Sequence, residues 1–273
     1  MRVKPSLLKG IAVLVGYLAI VFTVWAVTGT DYDTIGDRVE NVRNAVTIAM
    51  ACGVVFIVAV VSALGWWKPA LREPRRAAHH RWMFAIPVLL VAGVVLNLAA
   101  TQWGRFEELG TPLGAYVAWL AVGCAMVGFN EEMITRGQLI VAGRGSLHEG
   151  WVWFVTTLLF GLLHVPNAFF GQSVATTVQQ VVMAFAIGTA YYVTRRITGL
   201  LLIPMILHGA WDFSTFVQDH SVGGMASRPV SFGGFAMYVV IPLALVAVWR
   251  LHHDEGDVVE PGGDQLAAFE TAA

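Results

Sequence analysis

Apolar residues run along this chain in blocks of about twenty, set apart by short polar stretches, and a helix of that length crosses the hydrocarbon core of a bilayer. Eight such blocks stand at about 7–28, 44–66, 82–101, 113–141, 150–171, 174–194, 199–217 and 233–251. The pattern predicts an all-α, polytopic transmembrane bundle of about eight helices occupying 1–253. The first block carries Lys9 near its start, is too long for a signal-peptide core and has no small-residue cleavage pattern after it, so it is expected to stay as a helix. Pro87, Pro166, Pro204 and Pro242 fall in or beside blocks, where neighbouring helices tolerate kinks. Gly114, Gly123 and Gly128 in the fourth block point to close helix packing. From Asp254 the sequence turns acidic and loses apolar periodicity, so 254–273 is expected to be a disordered cytoplasmic tail.

Composition agrees with the pattern. The 273 residues are 57% hydrophobic and 13% charged, with a mean hydropathy of +0.67, too apolar for one soluble core to absorb. A net charge of -1 gives no basic face for nucleic acid. Cys52 and Cys124 lie in apolar runs and read as packing residues. Lysine and arginine mark the cytoplasmic loops of a membrane protein. With the N-terminus inside, that side collects Arg2, Lys4, Lys9, the basic run from Lys68 through Arg72, Arg75 and Arg76 to Arg81, and Arg136, Arg144, Arg195, Arg196 and Arg250. The other side holds Arg38, Arg43, Arg105 and Arg228. The expectation is a multi-pass protein of a bacterial cytoplasmic membrane with both termini cytoplasmic, and a Lys68–Arg81 loop facing lipid headgroups.

Three acids, Glu131, Glu132 and Asp212, and two histidines, His164 and His208, lie inside or at the edge of apolar blocks. Each charge placed in hydrocarbon costs about 2.5–3.5 kcal/mol on insertion scales, so such groups point to chemistry. Three segments carry them, each with a spacing of four: Glu132 to Arg136, Phe160 to His164, and His208 to Asp212. Residues four apart share one face of a helix, whereas adjacent ones are turned by about 100°. Glu132 is therefore expected to pair with Arg136, while Glu131 stays an unpaired, desolvated carboxylate, the condition of a general base. Phe160 reads as packing, Gln179 as glue between helices, and Trp103, Trp151 and Trp211 as interface residues, with the wall of a substrate cavity as the alternative place for Trp211. On upright helices Glu131 and His164 sit roughly 15 and 20 Å from the same end, a gap that tilting or a kink at Pro166 must close.

The order Glu-Glu-x-x-x-Arg, Phe-x-x-x-His and His-x-x-x-Asp resembles the CPBP family of intramembrane proteases, which includes the CAAX prenyl endopeptidases and the Abi-type bacteriocin-processing and immunity proteins. The likeness covers a core from about 112 to 216, with the active site inside a four-helix core. It implies an intramembrane endopeptidase in which Glu131 is catalytic base or ligand, Glu132 and Arg136 support it, His164 activates water, and His208 and Asp212 bind a metal or face the oxyanion. A metalloprotease would place Zn2+ on Glu131, His164, His208 and Asp212; a metal-independent glutamate protease is equally compatible. The last position is Asp212 where eukaryotic prenyl proteases carry Asn, and a carboxylate cannot donate a hydrogen bond to an oxyanion unless protonated. Asn167 could supply that donor or cap a helix. The implied partners are the lipid bilayer and a peptide or lipidated protein substrate. A proton-coupled transporter and a non-catalytic immunity or scaffold protein are the competing readings.

Overall fold

Each apolar block becomes a helix, because in hydrocarbon the backbone must satisfy its own hydrogen bonds. A computed structural model describes residues 2–75, 81–222 and 234–254, apart from the side chains of 235 and 254. Eight long helices occur among the described residues: α1 Leu7–Thr28, α2 Val39–Leu64, α3 Arg81–Ala100, α4 Leu113–Arg144, α5 Glu149–Phe170, α6 Val174–Thr198, α7 Leu202–Ser221 and α8 Gly234–Asp254. Glycines in the left-handed region close α1, α2 and α6 at Gly29, Gly65 and Gly199, the usual way to stop a helix. Seven helices are long and apolar enough to cross a membrane. The one that fails that measure is α7, whose buried face carries His208, Ser214, Gln218, Asp219, His220 and Ser221. The all-helical polytopic bundle anticipated from the sequence is therefore the observed architecture.

The even helix count puts both described ends of the chain at one end of the bundle. Trp66 Nε1 donates to the Val3 carbonyl at 2.8 Å beside the α2 terminus, and Tyr192 on α6 lies 3.4 Å from His252 on α8. At this end the structure departs from the loop reading of the cations. Arg144, Arg195 and Arg196 are buried around Glu73 and Glu149. Arg144 reaches Glu73 at 2.7 Å and Glu149 at 2.7 Å, Arg195 and Arg196 reach Glu73 at 3.3 and 3.4 Å, and Arg196 also bonds Glu149. Arg195 donates to the Pro69 carbonyl at 2.9 Å, and Tyr192 to Glu149 at 2.8 Å. The acids buried in the bundle are thus more than the three found within the apolar blocks. Glu73 comes from a connecting segment that folds back over helix ends, which no pattern along the chain reveals. The rest of the basic loop at 76–80, Arg228, and the acidic tail beyond Asp254 lie outside the described residues.

Two glycines set the closest helix approach. A Cβ on Gly128 of α4 would stand 2.3 Å from the Met205 carbonyl oxygen of α7, and one on Gly209 would stand 2.7 Å from the Cys124 carbonyl oxygen. Both obstacles are backbone, so neither position admits a side chain without separating α4 from α7.

Burial works to raise the Glu73 carboxyl, but the guanidinium groups of Arg144, Arg195 and Arg196 outweigh it and hold the group below its ordinary value of 4.5. A depressed carboxyl stabilises the fold above its unfolded pKa, and that contribution is lost as pH falls through the folded value. Thermal unfolding in detergent micelles should show wild type losing stability below about pH 4.5, with Glu73→Gln less stable at pH 7 by about 3–5 kcal/mol and flatter in acid. A Glu73→Gln protein as stable as wild type at pH 7 contradicts this account.

Candidate active site

The α-helical course of α4 is interrupted immediately after Glu131 and Glu132 by a wider π-helical turn, Met133–Gln138. Such turns insert a residue into the helix and are frequent where function requires a side chain to be re-aimed. Glu132 accepts from Arg136 Nη1 at 2.9 Å, both side chains fully buried. Arg136 also bonds Thr135 Oγ1 at 2.7 Å and lies 3.9 Å over the Phe160 ring, with Tyr191 on its other side at 5.7 Å. Gly188 of α6 makes the room: a Cβ there would fall 2.3 Å from Arg136 Nη2 and 2.8 Å from the Phe160 ring. The pairing expected of Glu132 and the packing role of Phe160 are both what the structure shows.

His208 stands between the two glutamates. Its Nδ1 donates to Glu132 Oε1 at 3.0 Å, since a carboxylate oxygen can only accept, and its Nε2 faces Glu131 Oε2 at 3.8 Å and Asp212 Oδ2 at 3.5 Å. Tyr191 stacks on the ring at 5.0 Å and Phe160 meets it edge-on. Glu132 thus holds both Arg136 and His208, while Glu131 stands 3.8 Å from His208 Nε2, outside hydrogen-bond reach. Glu131 Oε2 has no hydrogen-bond partner among the described residues, and the side chain is 12% exposed.

His164 lies where α5 gives up α-helical geometry. The helix proper ends at Leu162, and Val165–Phe170 continues as a 3-10 turn with Pro166 near its start. His164 Nδ1 donates to the Phe160 carbonyl at 3.1 Å, which leaves Nε2 with its lone pair. α5 leaves α-helical geometry just before His164, and His164 lines the same cavity as Glu131. That cavity measures about 240 Å³. Glu131, His164, His208 and Asp212 line its polar part, and Leu18, Val21, Phe22 and Trp25 of α1 line an apolar part. Tyr32 and Ile35, from the loop joining α1 to α2, and Asp219 near the end of α7 set the cavity toward the end of the bundle opposite the one that holds Arg2 and His252.

Asn167 also lines the cavity, but it caps no helix. Its Nδ2 donates to Gln180 Oε1 at 3.0 Å, and Gln180 Nε2 donates to the Tyr32 hydroxyl at 2.8 Å. The interhelical glue on α6 is therefore Gln180; Gln179, one residue and about 100° away, is exposed. Trp211 does not wall the cavity. It packs against α3, where a Cβ on Gly93 would meet its ring at 2.6 Å, because it lies about 100° around α7 from Asp212.

Zinc needs three or four donors converging at about 2.0–2.3 Å. Among the described residues no three His, Cys, Asp or Glu side chains form such a group. Glu131, His208 and Asp212 approach one another, yet His208 Nδ1 is committed to Glu132, and Nε2 is the one nitrogen on each imidazole left for a ligand.

Residues 112–214 match the Rce1-like family, the type II CAAX prenyl endopeptidases. The Rce1-like segment contains Glu131, Glu132, Arg136, His164, Asn167, His208 and Asp212, and it excludes α1, α2 and Tyr32. No curated protein and no solved structure matches the chain. The family match agrees with the resemblance drawn from the three motifs, and the multi-pass helical bundle agrees with a membrane-embedded protease.

Several cavity residues escaped sequence reasoning. Thr215 and Asp219 continue the face of His208 and Asp212 at the spacing of a helix, so periodicity of polar positions along α7 would have found them. Tyr17 and Tyr32 carried no such signal, because their places depend on how α1 and a loop pack. Changing Gly128 to Ala should lower the unfolding temperature in detergent, with a cost of about 1–3 kcal/mol for overpacking. An unchanged melting profile would show that α4 and α7 can separate freely.

Proposed function

We propose that this protein is an intramembrane endopeptidase that hydrolyses peptide bonds of lipidated or membrane-anchored substrates with water activated by Glu131 and His164. The observation that carries the reading is the unequal treatment of the two glutamates. Glu132 is neutralised by Arg136 and fixed by His208, while Glu131 keeps an unsatisfied carboxylate oxygen at the cavity. Such an oxygen can take a proton from water as the water oxygen bonds to the scissile carbonyl carbon, and return it to the departing amine when the C–N bond breaks. His164, donating through Nδ1 to a backbone carbonyl, offers Nε2 to hold the same water. Asp212 and Glu131 flank His208 Nε2 and hold that imidazole in place.

The substrate class follows from the walls. An apolar and aromatic compartment built by α1 adjoins the polar groups, so a substrate anchored in lipid could present an extended segment to water without leaving the bilayer. The excess of lysine and arginine at the end that holds Arg2 and His252 supports cytoplasmic termini even when the buried Arg136, Arg144, Arg195 and Arg196 are left out of the comparison. That orientation sets the cavity toward the outer half of the bundle.

With a fluorogenic peptide carrying a prenylated cysteine, reconstituted with the full chain in liposomes, Glu131→Gln should abolish cleavage with unchanged membrane abundance. His164→Ala should lower kcat by about 100-fold or more. Asp212→Asn should keep at least about a tenth of the wild-type rate, since its role is to position His208. Full activity in Glu131→Gln would instead favour a non-catalytic or transport role. Cleavage is expected to persist after exhaustive chelation; a loss restored by added Zn2+ would assign the metal-assisted mechanism.

A further inference from the structure

Addition of water to an amide turns the carbonyl oxygen into an oxyanion, and a donor aimed at that oxygen is among the largest contributions to such catalysis. Several polar side chains around the cavity have their donors engaged or carry none. Asp212 and Glu131 are carboxylates, His164 has spent its Nδ1 proton on the Phe160 carbonyl, and His208 gives its Nδ1 proton to Glu132 and turns Nε2 toward Asp212 and Glu131 at 3.5 and 3.8 Å. Tyr17 directs its hydroxyl to Met50 Sδ at 3.4 Å. Asn167 commits one of its two amide hydrogens to Gln180.

Tyr32 carries a neutral hydroxyl whose hydrogen bond with Gln180 uses only its oxygen, as acceptor. Its oxygen accepts from Gln180 Nε2 at 2.8 Å, and the direction of that bond is fixed by the next one, because Gln180 Oε1 is already the acceptor for Asn167. A tyrosine hydroxyl has one proton to donate besides its lone pairs. Among the described residues no protein acceptor takes that proton, and Tyr32 lines the same cavity as Glu131 and His164. We propose that the Tyr32 hydroxyl donates to the scissile carbonyl oxygen and to the oxyanion that forms from it, with Asn167 and Gln180 as the positioning chain. The proposal rests on the hydrolytic reading given above.

The chemistry of the position suits the task. Burial lifts the phenol above its ordinary value of 10.0; the Gln180 bond opposes this, while the nearby Asp212 and Glu131 carboxylates reinforce it, so the proton stays on at neutral pH. The ring is held by Trp25 at 5.7 Å between centroids, so the hydroxyl can be removed without removing the packing. The chain of amides also links the loop between α1 and α2 to α5 and α6, which gives the donor a fixed place relative to His164: the Asn167 N–H donates to the His164 carbonyl at 3.0 Å.

The test compares wild type, Tyr32→Phe, Asn167→Ala and Glu131→Gln as full chains in liposomes with the prenylated fluorogenic peptide. Tyr32→Phe should lose about 100-fold in kcat with KM within about threefold and an unchanged unfolding temperature. Asn167→Ala should fall by less, since Gln180 can still hold the hydroxyl. Tyr32→Phe with kcat within threefold of wild type, or an effect confined to KM, overturns the proposal while leaving the Glu131 reading in place. A Glu131→Gln protein as active as wild type would overturn that reading instead. Binding keeps the proposal testable without turnover: a peptide phosphinate, whose tetrahedral anion mimics the addition product, should bind Tyr32→Phe at least tenfold more weakly than wild type, and equal binding overturns the assignment.

Discussion

A carboxylate inside hydrocarbon must be neutralised or it will not stay there, and this protein satisfies that demand for Glu132 within a few ångströms. Arg136 supplies the charge and His208 a second hydrogen bond, both on Glu132 Oε1, while Phe160 and Tyr191 enclose the guanidinium with aromatic faces. Breaking such a buried pair by removing one partner costs about 3–5 kcal/mol, so the pair is a fixed point for everything around it. Three consequences follow from it: α6 must present a glycine at 188, α7 must come near enough for His208 to reach, and Glu131, the next residue back along α4, is directed to the cavity.

The same demand is met differently at the other end of the bundle. There two glutamates share three arginines in a buried cluster that joins the ends of α4, α5 and α6 to the segment after α2. Charge is thus concentrated at two levels. One level ties helices together with all its members paired to one another, and the other leaves an acid and an imidazole nitrogen facing the cavity. Geometry, more than residue type, separates the two clusters.

Much of this was legible along the chain. Spans could be read because hydrocarbon thickness sets helix length, and Glu132, Arg136, His164, His208 and Asp212 because charge is rare in such spans. The local pairing of Glu132 with Arg136 was also readable, since it depends only on a spacing of four within one helix. Long-range placements were not. Glu73 looked like part of an exposed basic loop until three arginines from two other helices closed over it, and Tyr32 sat in an unremarked polar connection. Trp211 and Gln179 failed for a related reason: each belongs to the right helix but to the wrong side of it, and one residue is about 100°.

The wide turn Met133–Gln138 has one more consequence. By holding one residue more than a regular α-helical turn, it sets the phase between the half of α4 that packs on α7 through Gly128 and the half that ends at Arg144. Deleting a single residue there would restore ordinary helix and rotate one half against the other by about 100°, so the Glu132–Arg136–His208 cluster and the arginine cluster could not both keep their partners. The length of this stretch is itself a structural requirement, independent of which side chains fill it.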